Sequence, residues 1–118
     1  MAHVEHVLSV LAVSDIKTAN SWYSKLFGRA PDNNPMPNLI EWHVTDNGWV
    51  QVTEDRHRAG RSMLNLAVSD IQEGARELRE MGLEPGEIIE ANKGVRLCPL
   101  SDPDGNAIQI VGNFRVKY

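Results

Sequence analysis

One cysteine, Cys98, is all the chain has. No internal disulfide can staple the fold, and that economy suits a reducing cytoplasm. Basic residues are in deficit, 12 Lys and Arg against 16 Asp and Glu, leaving a net charge of −4. A nucleic-acid partner wants a basic stripe, so none is expected. No apolar run is long enough to cross a bilayer, which removes a membrane partner. The opening residues MAHVEH have neither the charged nor the apolar region of a signal peptide. A cytoplasmic location is the expectation. No serine sits in a nucleophile elbow, and no glycine-rich phosphate cradle is present. Asp102 and Asp104 lack the further oxygen ligands of a calcium loop and read as turn residues.

What remains is ordinary globular material. Hydrophobic residues make up 42% of the 118 positions and charged residues 24%. A chain of this size is one domain and buries roughly two-thirds of its unfolded surface.

The sequence Leu-Ala-Val-Ser-Asp-Ile occurs twice, at Leu11–Ile16 and at Leu66–Ile71. Each copy closes an apolar stretch, Val7–Val10 in the first half and Met63–Asn65 in the second, both strand-like. Each Ser-Asp supplies a helix N-cap, and Asp70 with Glu73, or Ser69 with Gln72, has capping-box spacing. Ile16, Ala19, Tyr23, Leu26 and Phe27 then recur at helical spacing until Gly28 stops them. Ile71, Ala75, Leu78 and Met81 do the same before Gly82. Gly74 inside the second helix weakens it by about 1 kcal/mol relative to alanine.

Strands follow each glycine. Leu39–Val44 and Gly48–Glu54 flank the hairpin signal Asn47-Gly48. In the second half, Glu87–Ala91, Val95–Leu100 and Asn106–Val111 read as strands, the last preceded by Asp102-Pro103-Asp104-Gly105. A further strand after Gly28 is weakly signalled among Pro31, Pro35 and Pro37. Each half therefore reads βαβββ. The expected division is module one at 1–54, a polar linker at 55–61 and module two at 62–118. The three linker arginines, Arg56, Arg58 and Arg61, read as solvated.

Ser21-Trp22-Tyr23-Ser24-Lys25-Leu26-Phe27-Gly28 and the turn Asp102–Asn106, set on this repeat, resemble the vicinal oxygen chelate superfamily. That superfamily includes glyoxalases, bleomycin-resistance proteins and extradiol dioxygenases. The resemblance implies an α+β fold. Two tandem βαβββ modules would form a cupped, half-open eight-stranded mixed barrel, with a helix outside each module. It also implies a homodimer. Metal ligands in the family's enzymes lie on the first and last strands of each module. Carried over, those positions are Leu8, Gln51, Met63 and Gln109.

Leucine has no lone pair to give, and a thioether suits soft copper(I) rather than magnesium, manganese, iron or zinc. Two neutral amides bring no negative charge. No metal site and no cofactor are expected, even with the first strand slipped by two to bring in His6. Strand alternation places His6, Leu8, Val10, Trp49, Gln51, Thr53, Met63, Asn65, Ala67, Ala107, Gln109 and Val111 on the cup face. Val7, Leu11, Val50, Val52, Leu64, Leu66, Ile108 and Ile110 fall on the helix face. Trp22 is expected to pack and Trp49 to line the cup, with Trp42 open between the two. Cys98 reads as a buried thiol.

Three functions are compatible with this lining. The first is metal-independent sequestration of a largely apolar or aromatic small molecule, as in bleomycin-resistance proteins. The second is an enzyme of the superfamily working by acid–base chemistry through His6 or His43. The third is a degenerate module serving dimer assembly, in which the two glutamines bond each other. No residue is assigned a catalytic role.

Overall fold

In a computed structural model the structure describes residues 1–115. Ten elements follow the repeat. Module one runs β1 (Val7–Val13), α1 (Ile16–Phe27), β2 (Asn33–Met36), β3 (Leu39–Thr45) and β4 (Gly48–Glu54). Module two runs β5 (Met63–Val68), α2 (Ile71–Glu80), β6 (Ile89–Glu90), β7 (Arg96–Ser101) and β8 (Ala107–Gly112). The eight strands divide into two four-stranded sheets of the same design, β1-β4-β3-β2 and β5-β8-β7-β6. In each, the first strand pairs parallel with the last and the others pair antiparallel. The fold is α+β, built from two βαβββ modules.

The repeated Ser-Asp explains why both helices begin where they do. Asp15 accepts a hydrogen bond from the Lys17 N–H, and Asp70 from the Glu73 N–H. These bonds satisfy helix-end donors that have no partner within the helix. Asp15 is held below the usual carboxylate range by backbone N–H groups at Lys17 and Thr18. Glu73 does not close a capping box; its carboxylate pairs with Arg76. Gly28 ends α1 in the left-handed region at φ 72°, where a side chain would be strained.

One core serves both modules. Leu11, Val13, Tyr23, Ile40, Trp42, Val50 and Val52 join Leu64, Ile71, Ala75, Leu78, Ile108 and Ile110 in a single buried cluster. The helix-face residues expected from alternation are buried or half-buried except Val7, at the open start of β1 opposite Gly48. Trp42 is fully buried and belongs to the core. Its indole N–H donates to the Arg29 carbonyl at 3.0 Å, and its ring lies 5.1 Å from that of Phe27. The Cys98 thiol is buried against the Gly86 carbonyl at 3.3 Å, and burial pushes its pKa up.

The modules are joined by a polar seam. Asn106, fully buried, donates from Nδ2 to the Ala12 carbonyl at 2.8 Å and accepts from the Ser62 N–H at 2.8 Å. Asp102 takes four donors: Tyr23 Oη at 2.7 Å, Asn106 Nδ2 at 2.7 Å, and the N–H groups of Asp104 and Asn106. The Ser14 N–H donates to Asp104 Oδ2, and the Ala12 N–H to Ser62 Oγ. Residues that read as a turn in the sequence thus also weld module two to β1. Gly60, at φ 86°, lets the linker lie against this turn; a Cβ there would sit 2.5 Å from the Asp104 carbonyl oxygen.

Two elements differ from the sequence expectation. β6 holds two residues, Ile89–Glu90, where five were expected; Glu87 and Ile88 precede it outside the strand, and Asn92–Gly94 forms a short 3₁₀ turn after it, with Lys93 at φ 57°. β1 begins at Val7, so His6 precedes the strand and is exposed.

Candidate functional site

Register places the cup-face residues of module one side by side. Leu8 lies opposite Trp49, and Trp49 opposite His43; Val10 lies opposite Gln51, and Gln51 opposite Glu41. The His43 and Trp49 rings stack with centroids 4.4 Å apart and planes 17° from parallel. The Gln51 Nε2 group donates to Glu41 Oε2 at 3.0 Å. Gln51 therefore finds its partner within its own sheet, one strand away.

The aromatic pair is pinned from its backbone. The His43 N–H donates to Asp32 Oδ2 at 2.7 Å, and the Arg29 guanidinium bridges Asp32 and the His43 carbonyl, both at 2.8 Å. The His43 N–H and then Arg29 hold the Asp32 carboxyl below its ordinary range. His43 Nε2 lies 2.9 Å from the Asp46 carbonyl oxygen. The side-chain contact of this histidine is thus a backbone carbonyl and an indole ring.

Module two presents a second surface. Met63 lies opposite Ala107, Asn65 opposite Gln109, and Ala67 opposite Val111. Val111 is buried. Met63, Asn65 and Gln109 line a cleft of about 700 Å³ together with Trp22 and Lys25 from α1, Leu83, Glu84 and Pro99. A groove of about 490 Å³ runs between the modules, with Trp49, Asn65 and Ala67 among its lining residues and Phe27 and Leu78 on its helix side. Val10 lines a third hollow of about 360 Å³ with Thr53, Arg58 and Arg61. Leu8, Gln51 and His6 line none of these three.

The structure therefore groups Leu8, Val10, Trp49 and Gln51 on one sheet, and Met63, Asn65, Ala67 and Gln109 on the other. Trp22 packs against the core as expected and also borders the module-two cleft, whereas Glu41 joins the module-one face although the sequence reading did not select it. Trp22 follows the helical spacing that usually means core. Glu41 precedes a tryptophan whose side of the strand was open, and settling Trp42 as core would have placed Glu41 on the cup face.

A divalent metal does not fit these positions. Leu8 and Met63 provide no hard donor, and Gln51 and Gln109 are neutral amides on separate sheets. Among the described residues no three His, Cys, Asp or Glu side chains come together to hold an ion. No helix among them is long and apolar enough to cross a membrane.

Neither a protein-family model nor a curated protein matches the chain. Solved structures do. A glyoxalase/bleomycin resistance protein from Catenulispora acidiphila superposes with a TM-score of 0.85 at 27% identity, covering 91% of this chain and 96% of that one. TnmS3, an antibiotic binding protein from Streptomyces sp. CB03234, gives 0.73 at 21% identity, covering 95% and 96%. Lactoylglutathione lyase from Agrobacterium tumefaciens gives 0.76 at 13%, covering 91% and 92%. In fold the chain is similar to glyoxalase/bleomycin resistance proteins, consistent with the vicinal oxygen chelate superfamily that its motifs resemble.

Proposed function

We propose that the chain binds a small, largely apolar or aromatic molecule without a metal, by sequestration rather than by chemical conversion. One observation carries the reading. The positions at which the family's enzymes hold their metal are occupied by Leu8, Gln51, Met63 and Gln109, while the same face of module one offers the stacked Trp49–His43 pair beside Leu8 and Val10. Such a lining fixes a flat ligand by stacking and amide hydrogen bonds. The antibiotic-binding activity in the name of TnmS3 is in keeping with it. Acid–base catalysis finds less support. Neither His6, exposed ahead of β1, nor His43, on a backbone carbonyl, faces a second titratable side chain at hydrogen-bonding distance.

The test is a ligand screen by thermal shift, since a ligand at 100 times its Kd stabilises by about 2.7 kcal/mol. For a hit, Trp49→Phe should weaken binding by about 0.5–1.5 kcal/mol and remove much of the change in tryptophan emission. Trp22→Phe should leave affinity nearly unchanged. The reverse pattern would move the ligand to the 700 Å³ cleft of module two.

Elemental analysis of the purified protein should find no stoichiometric divalent metal. Gln51→Glu with Gln109→Glu should restore weak affinity at most. Near one equivalent of nickel, zinc, iron or manganese in the unmodified protein would overturn metal independence.

The cup is completed by a second copy of the chain. Its accessible surface is 7509 Å², against about 6,400 Å² expected for a monomer of this mass. Apolar side chains stand exposed on β1 and β5, each at an edge of its sheet: Leu8 is 50% exposed, Val10 53% and Met63 78%. Edge strands with apolar rims call for a cover, and a two-fold partner supplies one. Light scattering at micromolar concentration should give twice the 13.2 kDa chain mass; a single-chain mass would count against the dimer.

A further inference from the structure

We propose that Glu41 makes the module-one face selective for aromatic ligands that carry a positive charge. The proposal rests on the reading of that face as a ligand cup and adds the ligand's charge to it. Strands β1 to β4 contain no lysine or arginine, and their carboxylates are Glu41 and Glu54. Glu54 is engaged at the start of α1, where Oε1 accepts the Ile16 N–H at 3.0 Å. Glu41 is half-buried, and no ion pair among the described residues involves it. Of the basic residues near this face, Arg29 is committed to Asp32 and the His43 carbonyl, Arg58 pairs with Asp55, and Arg61 borders Val10 and Thr53.

What Glu41 does have is the Gln51 amide at 3.0 Å. One N–H donor orients the carboxylate without neutralising its charge. A half-buried carboxylate with one amide donor and no ion pair leaves acceptor capacity that a cation can take up. On the next register position of the same two strands stands the stacked Trp49–His43 pair. Successive same-face residues of a strand are about 7 Å apart, the reach of a bicyclic ring system. A flat cation lying on the indole would gain a cation–π contact and place its charge toward Glu41. The overall charge of −4 steers such ligands in the same direction.

Two probes of nearly equal shape isolate the charge: 1-methylquinolinium, and quinoline, which is neutral at pH 7.5. Their dissociation constants are measured by isothermal titration calorimetry at 20 and 150 mM salt for the unmodified protein and for Glu41→Gln. A thermal melt of each protein confirms folding, and light scattering gives its mass. The unmodified protein should bind the cation about 5- to 30-fold more tightly than quinoline, the range of a partly desolvated cation–π contact with a carboxylate beside it. That preference should shrink with salt. Glu41→Gln should cut it several-fold, leaving the part due to the indole, with the mass unchanged. Equal affinities in the unmodified protein, or an undiminished preference in Glu41→Gln, would overturn the proposal and leave the aromatic cup standing. Binding of neither probe would overturn the cup as well. A fall in mass in Glu41→Gln would overturn the proposal by assigning the carboxylate to contact between copies.

Discussion

Asn106→Ala is expected to cost the folded chain about 3–5 kcal/mol, a drop in Tm on the order of 10–20 °C. The side chain is fully buried and makes three hydrogen bonds. Alanine would leave the Ser62 N–H and the Ala12 carbonyl without their partner, and strip one donor from Asp102. Asp102 has no ion-pair partner among the described residues. Its carboxylate is held by hydrogen-bond donors alone, so the loss of one of the four adds to the cost. Urea titration reads the effect directly: the midpoint should fall with the slope unchanged. A loss below about 1 kcal/mol would mean that the seam tightens contact between modules without sustaining it.

The second large effect appears in alkali. The Tyr23 phenol is fully exposed to no solvent, donates to Asp102 at 2.7 Å, and has its pKa pushed well above the ordinary 10.0. Burial is the main cause, and the neighbouring carboxylate adds to it. Above pH 10 the unfolded chain loses this proton while the folded chain keeps it. The unfolded state then binds fewer protons, so stability falls as pH rises, by about 1.4 kcal/mol per pH unit for one group. Tyr23→Phe removes that slope. At pH 7 the variant should be less stable by about 1.5–3 kcal/mol, the worth of a hydrogen bond to a charged group. The gap should close at about pH 11–12. A gap that stays constant from pH 9 to 12 would show that Tyr23 ionises as freely in the folded protein as in the unfolded one.

Most of this architecture was legible in the residues. The duplicated Leu-Ala-Val-Ser-Asp-Ile marks both strand ends and both helix caps, because a short aspartate side chain closes the same backbone geometry each time. Strand alternation put Leu8, Val10, Trp49 and Gln51 on one face of the sheet, as their register has them. It gave no account of β6. Composition marks a stretch as able to pair, but how many residues of an edge strand do so is set by the neighbour, and here β7 takes up only Ile89 and Glu90. The seam was also invisible. Asp102-Pro103-Asp104-Gly105-Asn106 has the composition of a surface turn, and only the packing of β1 and α1 over it makes those polar groups internal. Glu41 was missed for a related reason. Local pattern could not settle the side of Trp42, and the burial that settles it comes from Tyr23 and Phe27 on α1.

The separation of the strands into two sheets has a kinetic consequence. Every strand pair closes inside its own module, whereas the bonds Ala12–Ser62, Tyr23–Asp102, Ser14–Asp104 and Ala12–Asn106 span 50, 79, 90 and 94 residues. Contacts of long sequence separation carry the larger loop-closure cost and are made after local ones have shortened the effective loop. The modules therefore acquire their sheets first and dock last, and the docking step buries Asp102 and Asn106. Substitutions in the seam will speed unfolding far more than they slow folding. The same seam that welds the halves in the native state is the part of the molecule that a nascent chain lacks longest.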